Sequence, residues 1–158
     1  MTRRRKQIVV GSALFASLAA YGVWVFLAGP ILIVHQIEKS NSRIVDWFCR
    51  SGVSPNRDAW MVGGVFHCAV ASGNQEIVKM MIAHHADVNR IDGYGTTPIH
   101  VATSRGDVDM MQLLVNRGSD ITKRNRNGET ALDIAISEKL EVARKLLEHT
   151  AQKPATTN

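Results

Sequence analysis

The sequence predicts an all-α solenoid of about four helix-turn-helix units with β-hairpin turns, preceded by one N-terminal transmembrane helix. Three observations predict it. Residue types recur with a period of 33, the range in which stacked repeats are found. Residues 8–29 run for 22 positions without a formal charge. The surplus positive charge sits ahead of that run, leaving the rest of the chain close to neutral.

Residues 1–7 form a basic head in which Arg3, Arg4, Arg5 and Lys6 carry four of the five surplus charges. The uncharged run of residues 8–29 would be about 33 Å long as a helix, enough to cross a hydrocarbon core of roughly 30 Å. Tyr21 and Trp24 lie toward its far end, where interfacial aromatics are favoured. It has no polar face, so it does not read as a helix half-buried in a soluble domain. A cleaved signal peptide is the rival reading. Ser17-Leu18-Ala19 offers a small-x-small site, but a further apolar stretch follows it. An uncleaved signal anchor is expected, with the basic head held in the cytoplasm and the remaining chain extracytoplasmic. The expected location is the inner (plasma) membrane, with the domain in the periplasm if the source is bacterial.

Residues 30–150 carry the repeats. Steps of 33 from His100 reach His67, Asp133 and Val34 without insertion. Gly73 and Gly106 stand where a first helix must end in a left-handed residue, and Ser40 and Lys139 replace them in the outer units. Second helices are marked by apolar sets: Ile44, Val45, Trp47 and Phe48; Ile77, Val78, Met80 and Met81; Met110, Met111, Leu113 and Leu114; Ala143, Leu146 and Leu147. Spacing of i, i+1, i+3 and i+4 makes one helix face. Asn56 and Asn89 recur in the turn after the second helix.

The third unit reads Asp92-Gly93-Tyr94-Gly95-Thr96-Thr97-Pro98-Ile99-His100 and closes with Gly118-Ser119-Asp120-Ile121, while Ala86-Asp87-Val88-Asn89 closes the second. In these motifs the chain resembles the ankyrin repeat family. The second unit departs at Gly64-Val65, where Thr-Pro is expected, and at His85, where Gly is expected. The fourth has Thr130-Ala131-Leu132-Asp133, and the first is placed by phase alone. End units of a solenoid face solvent on one side and should be atypical. Glu138, Lys139, Glu141, Arg144, Lys145 and Glu148 suit such a cap. The first unit is unusually apolar at Ile31-Leu32-Ile33-Val34, which could rest on the membrane or the anchor helix, with Pro30 at a favoured helix start. Residues 151–158 read as a disordered polar tail.

The other 15 Lys and Arg residues face all 14 acids, so no basic face for nucleic acid is expected. Two cysteines, Cys49 and Cys68, are too few for a disulfide scaffold or a Cys-rich zinc module. The resemblance assigns His67 and His100 to holding the turn through backbone hydrogen bonds. The adjacent His84 and His85 diverge by about 100° on a helix and cannot readily chelate one ion. No nucleophile elbow, HExxH or Walker motif occurs. Neither enzymatic activity, a cofactor, a metal nor a small-molecule substrate is expected. In related proteins, partners meet the hairpin tips and inner helices. Here one tip column reads Arg57, Arg90 and Lys123, with Trp60, Tyr94, Arg124 and Arg126 beside it. Arginines and aromatics are favoured interface anchors, so these seven residues form the expected ridge for a protein partner with an acidic surface. The expected role is a membrane-anchored adaptor or scaffold. The alternative is an inhibitor or immunity protein neutralising an envelope-acting toxin or enzyme.

Overall fold

The computed structural model describes residues 29–58 and 64–152, and among these there are eight helices. They are α1 (Gly29–Glu38), α2 (Ser42–Arg50), α3 (Val65–Ala71), α4 (Gln75–Ala83), α5 (Pro98–Ser104), α6 (Val108–Asn116), α7 (Ala131–Ser137) and α8 (Glu141–Gln152). Consecutive helices pack as pairs, giving four units. The first helices α1, α3, α5 and α7 stack in order, while α2 packs on α4 and α6 on α8.

Local chemistry explains the boundaries. Each within-unit turn contains a left-handed residue: Ser40 (φ 53°), Gly73 (φ 73°), Gly106 (φ 65°) and Lys139 (φ 59°). That column was legible in the sequence. Second helices start at side-chain caps, where Asn74 Oδ1 accepts from the Glu76 and Ile77 amides and Asp107 Oδ1 from the Met110 amide. Apolar columns then fill one continuous core in which Phe66, Ile77, Ile99, Met110 and Leu114 are fully buried.

The apolar start of the first unit is spent differently from the expectation. Ile33, Val34 and Ile37 are buried within this common core, because α1 is the first layer of the stack and turns its apolar side onto the next one. The helix α8 runs through Gln152 and so takes in the first two residues of the expected tail. The expected transmembrane run lies outside the described residues except for Gly29, which belongs to α1. Among the described residues, no helix is long and apolar enough to cross a membrane.

The inter-unit loops reverse as hairpins but hold no strand among the described residues; one antiparallel bridge joins Asp58 and Gly64. The reversal is too tight for a ladder. At the second tip the Asp92 amide donates to the Thr96 carbonyl (2.9 Å), and Asp92 Oδ1 accepts from the Tyr94 and Thr96 amides, both at 2.8 Å. Asn125 repeats the arrangement 33 residues later, accepting from the Asn127 and Glu129 amides.

Side chains tie each loop to the next. Asn56 donates to the His85 carbonyl and accepts from the Asp87 amide; Asn89 donates to the Gly118 carbonyl and accepts from the Asp120 amide. The histidines reach equally far. His67 Nε2 donates to the Thr96 carbonyl (2.9 Å) and His100 Nε2 to the Glu129 carbonyl (3.2 Å). The histidines thus bond to backbone, as the resemblance implied, but what they hold is the following hairpin.

Candidate protein-binding ridge

The three loops set the seven ridge residues in different environments. Arg57 is half-buried where the first loop begins, and its carbonyl accepts the Val65 amide at 2.9 Å. Trp60 lies outside the described residues. In the second loop Arg90 is drawn back toward the first, with Nη2 donating to Asp58 Oδ1 at 3.0 Å. Its Nε is buried and has no hydrogen-bond partner among the described residues. In the third loop Lys123 does the same, its ammonium donating to the Asn89 carbonyl at 3.0 Å. Two cations of the expected ladder therefore serve as ties to the preceding hairpin.

Outward-facing groups come from the flanking positions. Tyr94 is 69% exposed, and its carbonyl accepts the Arg126 amide at 3.2 Å, so the second and third tips touch there. Arg126 is exposed, and its side chain passes beside Gly95, where the positive φ of 71° and the near approach leave little room for a Cβ. Arg124 is exposed too. Its Nη1 donates to the Gly128 carbonyl and meets Asp133 Oδ2 at 3.5 Å, a geometry too long and wet to neutralise it. Ile91, which the sequence reading passed over, is 57% exposed on the second tip. Its signal was its column: Asp58, Ile91 and Arg124 are 33 apart, and only the middle unit places a large apolar group there. The second tip thus exposes two large apolar side chains, Ile91 and Tyr94, and the third tip that touches it exposes Arg124 and Arg126.

The remaining polar groups are structural in geometry. His100 Nδ1 accepts from the Thr97 amide (3.2 Å) and the Thr97 hydroxyl (2.7 Å), which leaves Nε2 as the donor. Burial pushes the pKa of His67 and His100 below the ordinary value, against the raising effect of their backbone bonds. His67 Nδ1 has no hydrogen-bond partner among the described residues: the Thr97 position is Gly64 in this unit, and a Cβ there would stand 2.8 Å from that nitrogen. In the last unit Asp133 replaces histidine and accepts from the amide and hydroxyl of Thr130, both at 2.8 Å, which lowers its pKa. His84 Nε2 meets Asp46 Oδ1 of the first unit at 2.9 Å, and Asp46 Oδ2 also takes Arg50 at 2.8 Å. Among the described residues no three metal-ligating side chains come together. Cys49 and Cys68 are not joined in a disulfide, and burial, with a smaller push from Asp46, raises the Cys49 thiol to about 11. A thiol held protonated in this way is a poor nucleophile.

The comparisons with known proteins agree with this architecture. The family model described as ankyrin repeats (3 copies) matches residues 32–125 and 66–157, well over half the chain. No curated protein matches it significantly. Ankyrin repeats generally mediate protein–protein interaction, and the chain belongs to the ankyrin repeat family.

Proposed function

We propose that the chain is a non-catalytic, membrane-anchored adaptor or scaffold that holds a protein partner against its hairpin ridge. Residues 8–29 are the anchor in this reading, with the basic head in the cytoplasm and the repeats on the other side. One observation carries the binding assignment. Ile91, Tyr94, Arg124 and Arg126 project from two touching loops although neither the core nor the ties between units require them. Two arginines and an exposed aromatic on touching loops favour a partner with an acidic surface.

The test uses Tyr94→Ala combined with Arg124→Glu and Arg126→Glu. A protein captured from membrane extracts by the native chain is purified and titrated against both forms. Affinity is expected to fall by at least about tenfold, the effect of losing one good anchor. The far-ultraviolet circular dichroism should be unchanged. Equal affinity for both forms would remove the ridge from the binding site. Reporters fused after Asn158 test the topology. Activity of a periplasmic-type reporter in the membrane fraction is expected, and a cytoplasmic signal would reverse the orientation.

A further inference from the structure

The period allows each position to be judged by its equivalents. At one second-helix position Ile77 and Met110 are 0% exposed and Ala143 is 1% exposed, whereas Ile44 in the first unit is 39% exposed. Three residues on, Met80, Leu113 and Leu146 pack against the core, whereas Trp47 is 50% exposed. The helix α2 thus shows water two large apolar side chains at positions that the later units cover. Arg43 stands one helical turn before Trp47 on α2 and Lys39 lies in the turn that leads into it; both are exposed and form no ion pair among the described residues, while Arg50 is exposed at the other end and tied to Asp46.

The sequence indicates what lies over this face. The uncharged run ends at Gly29, inside α1, so no linker separates it from the repeats. A three-residue turn brings α2 back alongside α1. The helix α1 has ten residues, which places Trp47 within about 15 Å of Gly29 along the helix axis. A run that is apolar on every side cannot cover α2 and leave its own opposite side in water. A bilayer accommodates both: tryptophan is favoured at the interface, and lysine and arginine are attracted to anionic headgroups.

We propose that Ile44 and Trp47, together with Lys39 and Arg43, form a membrane-surface contact seated in the headgroup layer of an anionic bilayer, which sets how the solenoid stands on the membrane. This rests on the anchoring part of the proposed function. It does not depend on the ridge.

The experiment uses the full chain with Trp24→Phe and Trp60→Phe, so that Trp47 alone fluoresces, in vesicles of phosphatidylcholine and phosphatidylglycerol. Phosphatidylcholine brominated near the headgroup end of its chains is expected to quench Trp47, and aqueous iodide is expected to leave it bright. A chain that floats with the vesicles while Trp47 ignores bromine and is quenched by iodide overturns the contact and leaves the anchor standing. A chain that does not float overturns both. A second measurement keeps all native tryptophans and adds Lys39→Glu with Arg43→Glu. The iodide-accessible share of emission should rise without loss of flotation, and no rise counts against the contact.

Discussion

Three non-glycine residues occupy the left-handed region among the described residues, and each sits in a column where other units use glycine. Ser40 and Lys139 align with Gly73 and Gly106, and His85 (φ 63°) aligns with Gly52 and Gly118. An L side chain in this region costs about 1–2 kcal/mol. His85→Gly and Lys139→Gly should therefore each raise stability by roughly 1 kcal/mol, read as a higher melting temperature. An unchanged melt would mean that side-chain contacts offset the strain. The buried histidines supply a pH dependence with a definite sign. A folded-state pKa below the ordinary 6.5 means that the unfolded chain binds more protons as the pH drops. Stability should hold above about 6.5 and fall below it, until the lowered folded values are passed. Protonation of His100 Nδ1 would set an N–H against the Thr97 amide that it now accepts. His100→Gln should flatten this part of the melting-versus-pH curve, and an unchanged slope would assign it to other groups.

At the scale of helices and loops, the sequence was legible wherever one column means one environment. The apolar sets of the second helices in units two to four, the left-handed turn residues and the Asn56 and Asn89 column landed as their spacing implied, whereas Ile44 and Trp47 of the first unit did not join the core. Adjacent leucines show the resolution of that reading. Leu114 is fully buried, whereas Leu113, which belongs to the same apolar set, is only partly covered. Leu114→Ala should destabilise by roughly 2–5 kcal/mol and Leu113→Ala by less, measured by denaturant unfolding. The ridge was less legible. Arg57, Arg90 and Lys123 look alike as a column, but the fate of a long cation depends on which acceptor its neighbour offers. Arg90 finds Asp58, and Lys123 finds a carbonyl. Ile91 shows only as the exception in its column, so a reading that follows what recurs passes over it. Asn89→Ala removes both side-chain bonds to the third loop, one from a part-buried amide and one to an exposed carbonyl. The expected loss is about 1–3 kcal/mol, and an effect below a few tenths would show that water replaces the side chain.

Across the whole molecule, the ends differ. At the C-terminal end Arg144 stands at the position of buried Met111 and is clasped by Glu141 and Glu148, each at 2.8 Å. That half of the final layer is sealed with charge, as the cluster of ionisable residues implied. The other half is not: Ile136, equivalent to buried Thr103, is 54% exposed. At the N-terminal end Ile44 and Trp47 are uncovered as well. Since every unit packs only on its neighbours, stability is a sum over units and their interfaces. A lesion such as Leu114→Ala should therefore weaken protection from hydrogen exchange in α5 to α8 more than in α1 and α2. Equal loss across all eight helices would show a single cooperative block.

The asparagine and histidine ties between loops point one way along the chain, whereas Arg90 and Lys123 reach back to the preceding loop. Asn56, His67, Asn89 and His100 each bond to backbone 29 residues further on. A ribosome delivers the chain N-terminus first, so each of these groups emerges before the carbonyl that it will hold. Every unit but the last is thus completed by its successor. Asp133, which has no later loop to reach, closes the series by turning back to its own helix start. The order of synthesis and the order of locking are the same, and a chain stalled before the final loop would leave His100 without the acceptor of its Nε2 proton.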